Sequence, residues 1–343
     1  MPAPSTQRHS TALCRALAGW FAANGRDYPW RRTQDPYAVL VSEIMLQQTQ
    51  IATVLDRGYY ESWMKQFPDF RGLAKATEPV VLKAWEGLGY YRRARFLHQL
   101  AQKIVAEHGG VFPRDMDAIR KLPGVGAYTA GAVASFAFDD RQAIVDGNVA
   151  RVLSRIYNDA TPIDSTAGKK LLWQRAEHLV KVSLSPRSHN SALMEIGQTI
   201  CKPTSPACSI CPVKNFCSAI EPAALPVKSK RVAVTKITER VYLQKTKAGV
   251  FLQQETGSRR TGLWKLPALE EKGKLPPLLH KCAYSITRYR VALHVHAAPQ
   301  RQRNAPASDH SVILFSELGS LPMPSPYRRA LIAVLPELRQ SPP

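Results

Sequence analysis

The stretch from Leu122 to Leu153, LPGVGAYTAGAVASFAFDDRQAIVDGNVARVL, constrains this chain more than any other. Leu122-Pro123-Gly124-Val125-Gly126 predicts a tight turn that opens onto a helix of small residues. Gly124 and Gly126 are expected to take positive φ and to let the backbone approach a ligand closely. The helix that follows then presents its unpaired amides, a ready site for an anion. A short helix is predicted before the turn, over Asp115–Lys121, so two helices flank a glycine hairpin. Further on, Asp146-Gly147-Asn148 precedes Val149, Val152, Leu153 and Ile156, a helical stripe. Asp146 or Asn148 can serve as the N-cap of that helix, and Asp146 is also a candidate catalytic acid.

The charge balance suits such a hairpin. Lys and Arg number 47 against 26 Asp and Glu, a net +21 in 343 residues, which points first to a polyanionic partner, nucleic acid above all. The length allows two domains. No apolar run reaches the length of a membrane span. The opening residues lack Asp and Glu up to Arg26. Leu13, Leu17, Trp20 and Phe21 recur there at helical spacing, so a folded helix is expected and no secretory signal.

Cys201, Cys208, Cys211 and Cys217 follow the spacing C-x6-C-x2-C-x5-C. Four thiolates at such spacing hold either zinc or a cubane iron–sulfur cluster, and spacing alone does not choose between them. Cys14 and Cys282 stand apart and are expected to be buried structural thiols.

Other segments carry possible chemistry. Ser42 is expected to cap a helix with Ile44, Ile51 and Leu55 as its buried stripe, which puts Glu43 in the first turn, where the dipole favours a carboxylate. Gln47 and Gln48 suit the reading of base edges or the filling of a gap in a base stack, or are simply solvated. Trp30 and Arg31 either frame a pocket for a flat base or belong to an ordinary loop. In Gly87-Leu-Gly-Tyr-Tyr-Arg-Arg-Ala-Arg, the tyrosines either stack on bases beside phosphate-binding arginines or are buried at a helix start. Helices are predicted over Tyr60–Phe67, Pro79–Trp85, Ala94–His108, Ala167–Val182 and His189–Ile200, with Glu195 partly buried on the last. Residues 222–232 read as an exposed basic linker. Beyond it, strand-like runs at Arg240, Val250 and Tyr289 predict a small α+β domain. His294 and His296 share a strand face there and lack further ligands for a metal.

Taken together, PYAVLVSEIMLQQTQ, GLGYYRRAR, LPGVGAYTAGAV, VDGNVARVL, ALMEIGQTIC and the four-cysteine loop resemble the adenine DNA glycosylases, over nearly the whole chain. The resemblance implies a mainly α helix-hairpin-helix glycosylase domain with an iron–sulfur cluster loop over residues 1–221, a linker over 222–232, and an α+β Nudix-like domain that recognises 8-oxoguanine over 233–343. It implies a [4Fe–4S] cluster on Cys201, Cys208, Cys211 and Cys217. The partner it implies is duplex DNA with adenine opposite 8-oxoguanine or guanine. The enzyme would be a monomer associated with DNA in the bacterial cytoplasm.

By motif, Glu43 would protonate adenine at N7 and handle the water, and Asp146 would stabilise the sugar cation. Tyr128 and Asn148 would support them. Arg26, Trp30, Arg31, Leu46 and Glu195 would line the adenine pocket. Gln48 and Tyr90 would wedge into the base stack with Thr49 close by, Gln47 would contact the DNA, and Gly124, Val125 and Gly126 would meet its backbone. Related enzymes that also cut the strand carry a lysine where this chain has Tyr128, and a phenol forms no Schiff base, so a monofunctional glycosylase is expected. Where the family often has Phe-Ser-His in its 8-oxoguanine loop, this chain reads Ile286-Thr287-Arg288, and Thr287 and Arg288 keep a hydroxyl and a donor. The paired carboxylates of nucleotide hydrolases are missing, so the second domain is expected to bind and not to hydrolyse.

Overall fold

The computed structural model describes residues 4–229, 233–257, 260–270, 274–299 and 309–335. In chain order its helices are α1 (Pro4–Asn24), α2 (Pro36–Leu46), α3 (Ile51–Asp56), α4 (Tyr59–Gln66), α5 (Phe70–Lys75), α6 (Glu78–Ala84), α7 (Arg92–His108), α8 (Met116–Arg120), α9 (Ala127–Phe138), α10 (Gly147–Ile156), α11 (Thr166–Val182), α12 (Pro186–Thr199) and α13 (Ser325–Val334). The strands are β1 (Thr235–Leu243), β2 (Gly249–Gln254), β3 (Trp264–Lys265), β4 (Leu278–Ile286), β5 (Tyr289–Ala297) and β6 (His310–Leu314). The chain forms two compact units, one of residues 1–48 and 103–231, the other of 49–102 and 232–343.

The first unit is helical. Leu13 and Leu17 of α1 meet Val149, Leu153 and Ile156 of α10, Leu179 of α11 and Ile196 of α12 in one core. Close approach of backbones is built into two glycines. A Cβ on Gly197 of α12 would stand 2.6 Å from Asn148 Cβ, and one on Gly131 of α9 would stand 2.3 Å from the Ala143 carbonyl oxygen. These glycines let the backbones that carry Asn148 and Tyr128 pack tightly. No helix among the described residues is long and apolar enough to cross a membrane.

The expected helix from Ser42 through Leu55 is two helices. Asp35 caps α2, accepting from the Tyr37 and Ala38 amides, and Pro36 takes the first turn. Ser42 lies mid-helix and donates to the Val39 carbonyl at 2.7 Å. Glu43 therefore sits near the C-terminal end of α2 and not in its first turn. Gln47–Gln50 separate α2 from α3, whose buried residue is Val54 in place of Ile51 or Leu55.

The expected linker is partly docked. Leu225 is buried and accepts from Arg155 Nε at 3.0 Å, Val227 accepts from the Ile163 amide at 3.0 Å, and Ser229 bonds Asp164 at 2.9 Å. Residues 222–229 thus find partners for their backbone polar groups on the first unit. Lys230, Arg231 and Val232 lie outside the described residues.

In the second unit, β1, β5 and β4 form one sheet in that order, with β1 parallel and β4 antiparallel to β5. A second sheet runs β3-β2-β6. Val241, Leu293 and Val295 on one face of the first sheet join Val250, Leu252, Tyr327 and Leu331 in the unit's core. After β3, no helix occurs among the described residues before α13. Cys282, expected to be buried, is only half-buried, whereas Cys14 is buried and donates to the Leu179 carbonyl.

Candidate active site

Two carboxylates with different surroundings meet in the first unit. Glu43, at 6% exposure, accepts from the Tyr128 hydroxyl through Oε2 at 2.7 Å. Burial pushes its pKa up to about 7; the Tyr128 bond and the Arg31 charge pull it down, and the Asp146 charge pushes it up. Burial, with the charges of Glu43 and Asp146 behind it, raises the Tyr128 phenol well above its ordinary range. It remains a donor to Glu43. Tyr128 and Asp146 are walled in on most sides yet keep some surface open.

Asp146 is the cap of α10 and a member of this cluster at once. Its Oδ1 accepts from the Val149 amide at 2.7 Å, and its Oδ2 accepts from Asn148 Nδ2 at 3.0 Å. Burial raises its pKa, and these bonds oppose the rise. Capping leaves lone pairs of both oxygens unused, so the helix holds the carboxylate without consuming it.

The pocket residues assemble around a buried acid. Glu195 on α12 is fully buried, not partly so as its sequence context suggests. Arg31 Nη1 lies 2.8 Å and Arg26 Nε 3.5 Å from its oxygens, yet neither oxygen receives a well-aligned hydrogen bond. Arg31 packs over the rings of Phe21 and Tyr28, and the buried Trp30 stacks on Tyr28 with centroids 5.2 Å apart. Trp30 thus has a structural partner already. Leu46 is half-buried at the end of α2.

The hairpin forms between α8 and α9. Gly124 has φ 74°. Gly126 does not take positive φ as expected; it caps α9 in an extended conformation at φ −97°. A Cβ there would meet nothing within 4 Å, so the glycine leaves open space in front of the helix. Gln47 reaches Thr129 at 3.4 Å, and Gln48 is exposed at φ 59°. In the second unit, the paired tyrosines divide their roles. Tyr91 is buried and donates to the Met323 carbonyl, whereas Tyr90 is exposed at φ 47°. Thr49 accepts from Arg93 at 3.2 Å. Thr287 and Arg288 form the exposed turn between β4 and β5.

None of the four clustered thiols is in a disulfide. Cys201, Cys208, Cys211 and Cys217 line one cavity of about 260 Å³. Burial is the main cause that raises Cys211 and Cys217, and the neighbouring thiols add to it. Among the described residues no three His, Cys, Asp or Glu side chains gather tightly enough to hold one ion. Sulfurs around a cavity suit a polynuclear cluster better than a zinc ion, which draws its sulfurs to about 2.3 Å. The donor set therefore fits an iron–sulfur cluster.

Arg151 and Arg155, absent from the sequence-based site, tie this loop to α10. Arg155, at 2% exposure, donates to Cys201 Sγ at 3.2 Å and to the Lys202 and Pro203 carbonyls. Arg151 donates to the Cys201 carbonyl at 2.8 Å, the Gly197 carbonyl at 2.7 Å and Asn148 Oδ1 at 2.9 Å. Their signal in the sequence is two arginines four apart inside an apolar helical stripe.

Residues 41–178 match the HhH-GPD superfamily of base excision DNA repair proteins, and residues 201–217 match the iron–sulfur binding domain of endonuclease III. The structure of a thermostable thymine-DNA glycosylase superposes with a TM-score of 0.57 at 32% identity, over 63% of this chain and 99% of that one. Fold, hairpin and cysteine loop thus define a helix-hairpin-helix base excision repair protein with an iron–sulfur loop.

Among curated proteins, the adenine DNA glycosylase of Buchnera aphidicola (subsp. Baizongia pistaciae) is 35% identical over 256 residues, covering 73% of this chain and 71% of that protein. The human adenine DNA glycosylase is 45% identical over 218 residues, 61% of this chain and 39% of its own length. The chain belongs to the adenine DNA glycosylase family. It spans 39–42% of the length of the mammalian relatives it matches.

Proposed function

We propose that this chain hydrolyses the N-glycosidic bond of adenine mispaired with 8-oxoguanine or guanine in duplex DNA, without a lyase step. The observation that carries the reading is the unlike pair of carboxylates: Glu43, buried with a pKa near 7 and bonded to Tyr128, beside Asp146, held by a helix cap. Adenine leaves a sugar readily only when protonated, and the sugar gains cationic character as the bond stretches. Such a reaction needs one carboxyl that keeps a proton at neutral pH and one that keeps a charge.

The adenine must first leave the base stack. Glu43 donates its proton to N7, and the C1′–N9 bonding electrons leave with the base. Asp146 faces the cation that forms at C1′. Water then adds there and loses its proton to Glu43, which restores the acid. Tyr128 holds Glu43 in position, and Asn148 holds Asp146. Glu195 has acceptor capacity that Arg31 and Arg26 leave unfilled, which suits the amino group of adenine. Gly124, Val125 and Gly126 would meet the DNA backbone, Gln48 and Tyr90 would wedge into the stack with Thr49 close by, and Gln47 would contact the DNA. Cys201, Cys208, Cys211 and Cys217 would hold a [4Fe–4S] cluster, which when bound braces the loop next to α10.

Residues 233–343 are read as a Nudix-like domain whose Thr287–Arg288 turn meets 8-oxoguanine without hydrolysing nucleotides. The chain is read as a monomer acting on DNA in the bacterial cytoplasm. Single-turnover release of adenine from A:8-oxoguanine, A:G and thymine-glycol duplexes, with and without alkali, tests this. Adenine release with strand breaks only after alkali is expected. Strand breaks without alkali at the rate of base loss would overturn the monofunctional reading, and binding without adenine release would overturn the enzymatic one.

A further inference from the structure

The sheet of β1, β5 and β4 has two dissimilar faces. One carries Val241, Leu293, Val295 and Tyr284 and is covered by α13. Strand pairing places the side chains of the other face in rows. The first row is Lys236, Arg290 and Ser285; the second is Thr238, Ala292 and Ala283; the third is Arg240, His294 and Lys281. No carboxylate stands in these rows. Lys236, Lys281 and Arg290 are exposed, and no described carboxylate pairs with them. The side chains of the second row are small, so two cationic rows flank a shallow trough. Alternate rows on one face are separated by four residues, roughly 13 Å.

Edge protection does not account for the arrangement. Lysines on edge strands discourage pairing with other chains, and β1 and β4 are the edges, so Lys236 and Lys281 could serve that end. Arg290 and His294 lie on the central strand, which needs no such guard. The cations are crowded enough to affect one another: burial first, then the charges of Lys281, Arg240 and His296, lower the pKa of His294. Like charges gathered in rows raise the energy of the free protein, and a polyanion that meets them relieves it. The first row also lies next to the exposed Thr287–Arg288 turn, where Arg288 packs over the Tyr289 ring.

We propose that this outer face of the β1-β5-β4 sheet is a docking surface for the sugar–phosphate backbone of duplex DNA, with the strand lying over Thr238, Ala292 and Ala283 and its phosphates paired with Lys236, Arg290 and Lys281. The proposal rests on the functional reading above, and names the surface by which the second unit would hold the same substrate. It concerns affinity for backbone and is independent of base sequence.

The test uses the full chain and fluorescence-labelled duplexes, one undamaged and one with a single A:8-oxoguanine pair, titrated over a range of salt concentrations. Lys236→Gln/Arg290→Gln and the charge-reversed Lys236→Glu/Arg290→Glu are compared with wild type after their melting temperatures are matched. Each lost phosphate contact lowers the salt slope by about 0.9. The neutral double variant should lose nearly 2 from the slope and about tenfold in affinity at moderate salt, equally on both duplexes. The reversed variant should lose more. Unchanged slope and affinity in both would overturn the proposal. Weakened binding of polyglutamate with unchanged binding of duplex would overturn it too, and assign the face to an acidic protein segment. Adenine release by wild type is measured separately, so a failed activity and a failed surface give different results.

Discussion

The carboxylate pocket of the first unit and the outer sheet face of the second both concentrate charge, and they do so by opposite means. In the pocket, Glu43, Asp146 and Glu195 are withdrawn from water, and each is held by named neighbours: Tyr128, the α10 amides with Asn148, and Arg31. On the sheet face, Lys236, Lys281 and Arg290 stay in water, with no acidic partner among the described residues. Burial fixes position and raises the pKa of Glu43 and Asp146, so each group in the pocket acts as an individual. Exposure leaves charges interchangeable, screened by salt and effective only as a sum. Single substitutions should therefore be severe in the first region and graded in the second.

The most severe is Asp146→Asn. The amide keeps the size and much of the cap but loses the charge beside the sugar cation. Adenine release should fall on the order of a thousandfold with duplex affinity retained, as read by single-turnover chemistry and binding titration. Release at the wild-type rate would remove Asp146 from the chemistry.

Glu43→Gln should cost on the order of a hundredfold or more in release, and it carries a second signature with a definite sign. The folded chain keeps the Glu43 proton up to about pH 7, and the unfolded chain gives it up near the ordinary glutamate value of 4.5. Between those values the folded state binds more protons, so this group makes stability fall as pH rises. Glu43→Gln should then melt about 2–4 °C above wild type at alkaline pH, with the gap closing in acid. An equal gap at both ends would mean that Glu43 is not a buried acid of raised pKa.

Arg155→Leu should release much of the cluster, because it leaves the Lys202, Pro203 and Leu225 carbonyls and Cys201 Sγ without their donor. Iron content and visible absorbance read this, and full iron occupancy would contradict the role assigned to the guanidinium. Tyr128→Phe is milder. Its hydroxyl lowers the pKa of Glu43, so the alkaline limb of the rate profile should move to higher pH; a limb that stays put would separate the phenol from the acid. The smallest effect is expected at the exposed turn, where Arg288→Ala should reduce the preference for 8-oxoguanine over guanine a few-fold, about what one exposed contact is worth. An unchanged ratio would remove Arg288 from recognition.

The same contrast explains what could be read before the fold was known. Glu43, Asp146 and Tyr128 are singled out by resemblance, since each taken alone reads as an ordinary helical or capping residue, whereas the grouping of the four cysteines is legible from their spacing. The position of Glu43 is not: Ser42 is a good cap by type, but Asp35-Pro36 is a better start and lengthens the helix behind Glu43. Glu195 is legible as an unusual carboxylate, whereas its pairing with Arg31 joins distant parts of the chain. Gly126 reads as a positive-φ glycine because its other use, clearing space before α9, leaves no mark in the sequence. Arg151 and Arg155 are hidden by their type, since arginines on a helix are usually solvated and these are buried only because carbonyls from the cysteine loop surround them. The docking of residues 222–229 is invisible for a similar reason: the bonds come from backbone atoms, which any sequence supplies.

The central claim is that a carboxyl kept protonated by burial drives adenine release beside an ionised Asp146. The pH dependence of single-turnover adenine release from an A:8-oxoguanine duplex tests it most directly. The account predicts release that is fast on the acid side and falls as pH rises through about 7, the point at which Glu43 loses its proton. A rate that is level through that region, or that rises with pH, would contradict it.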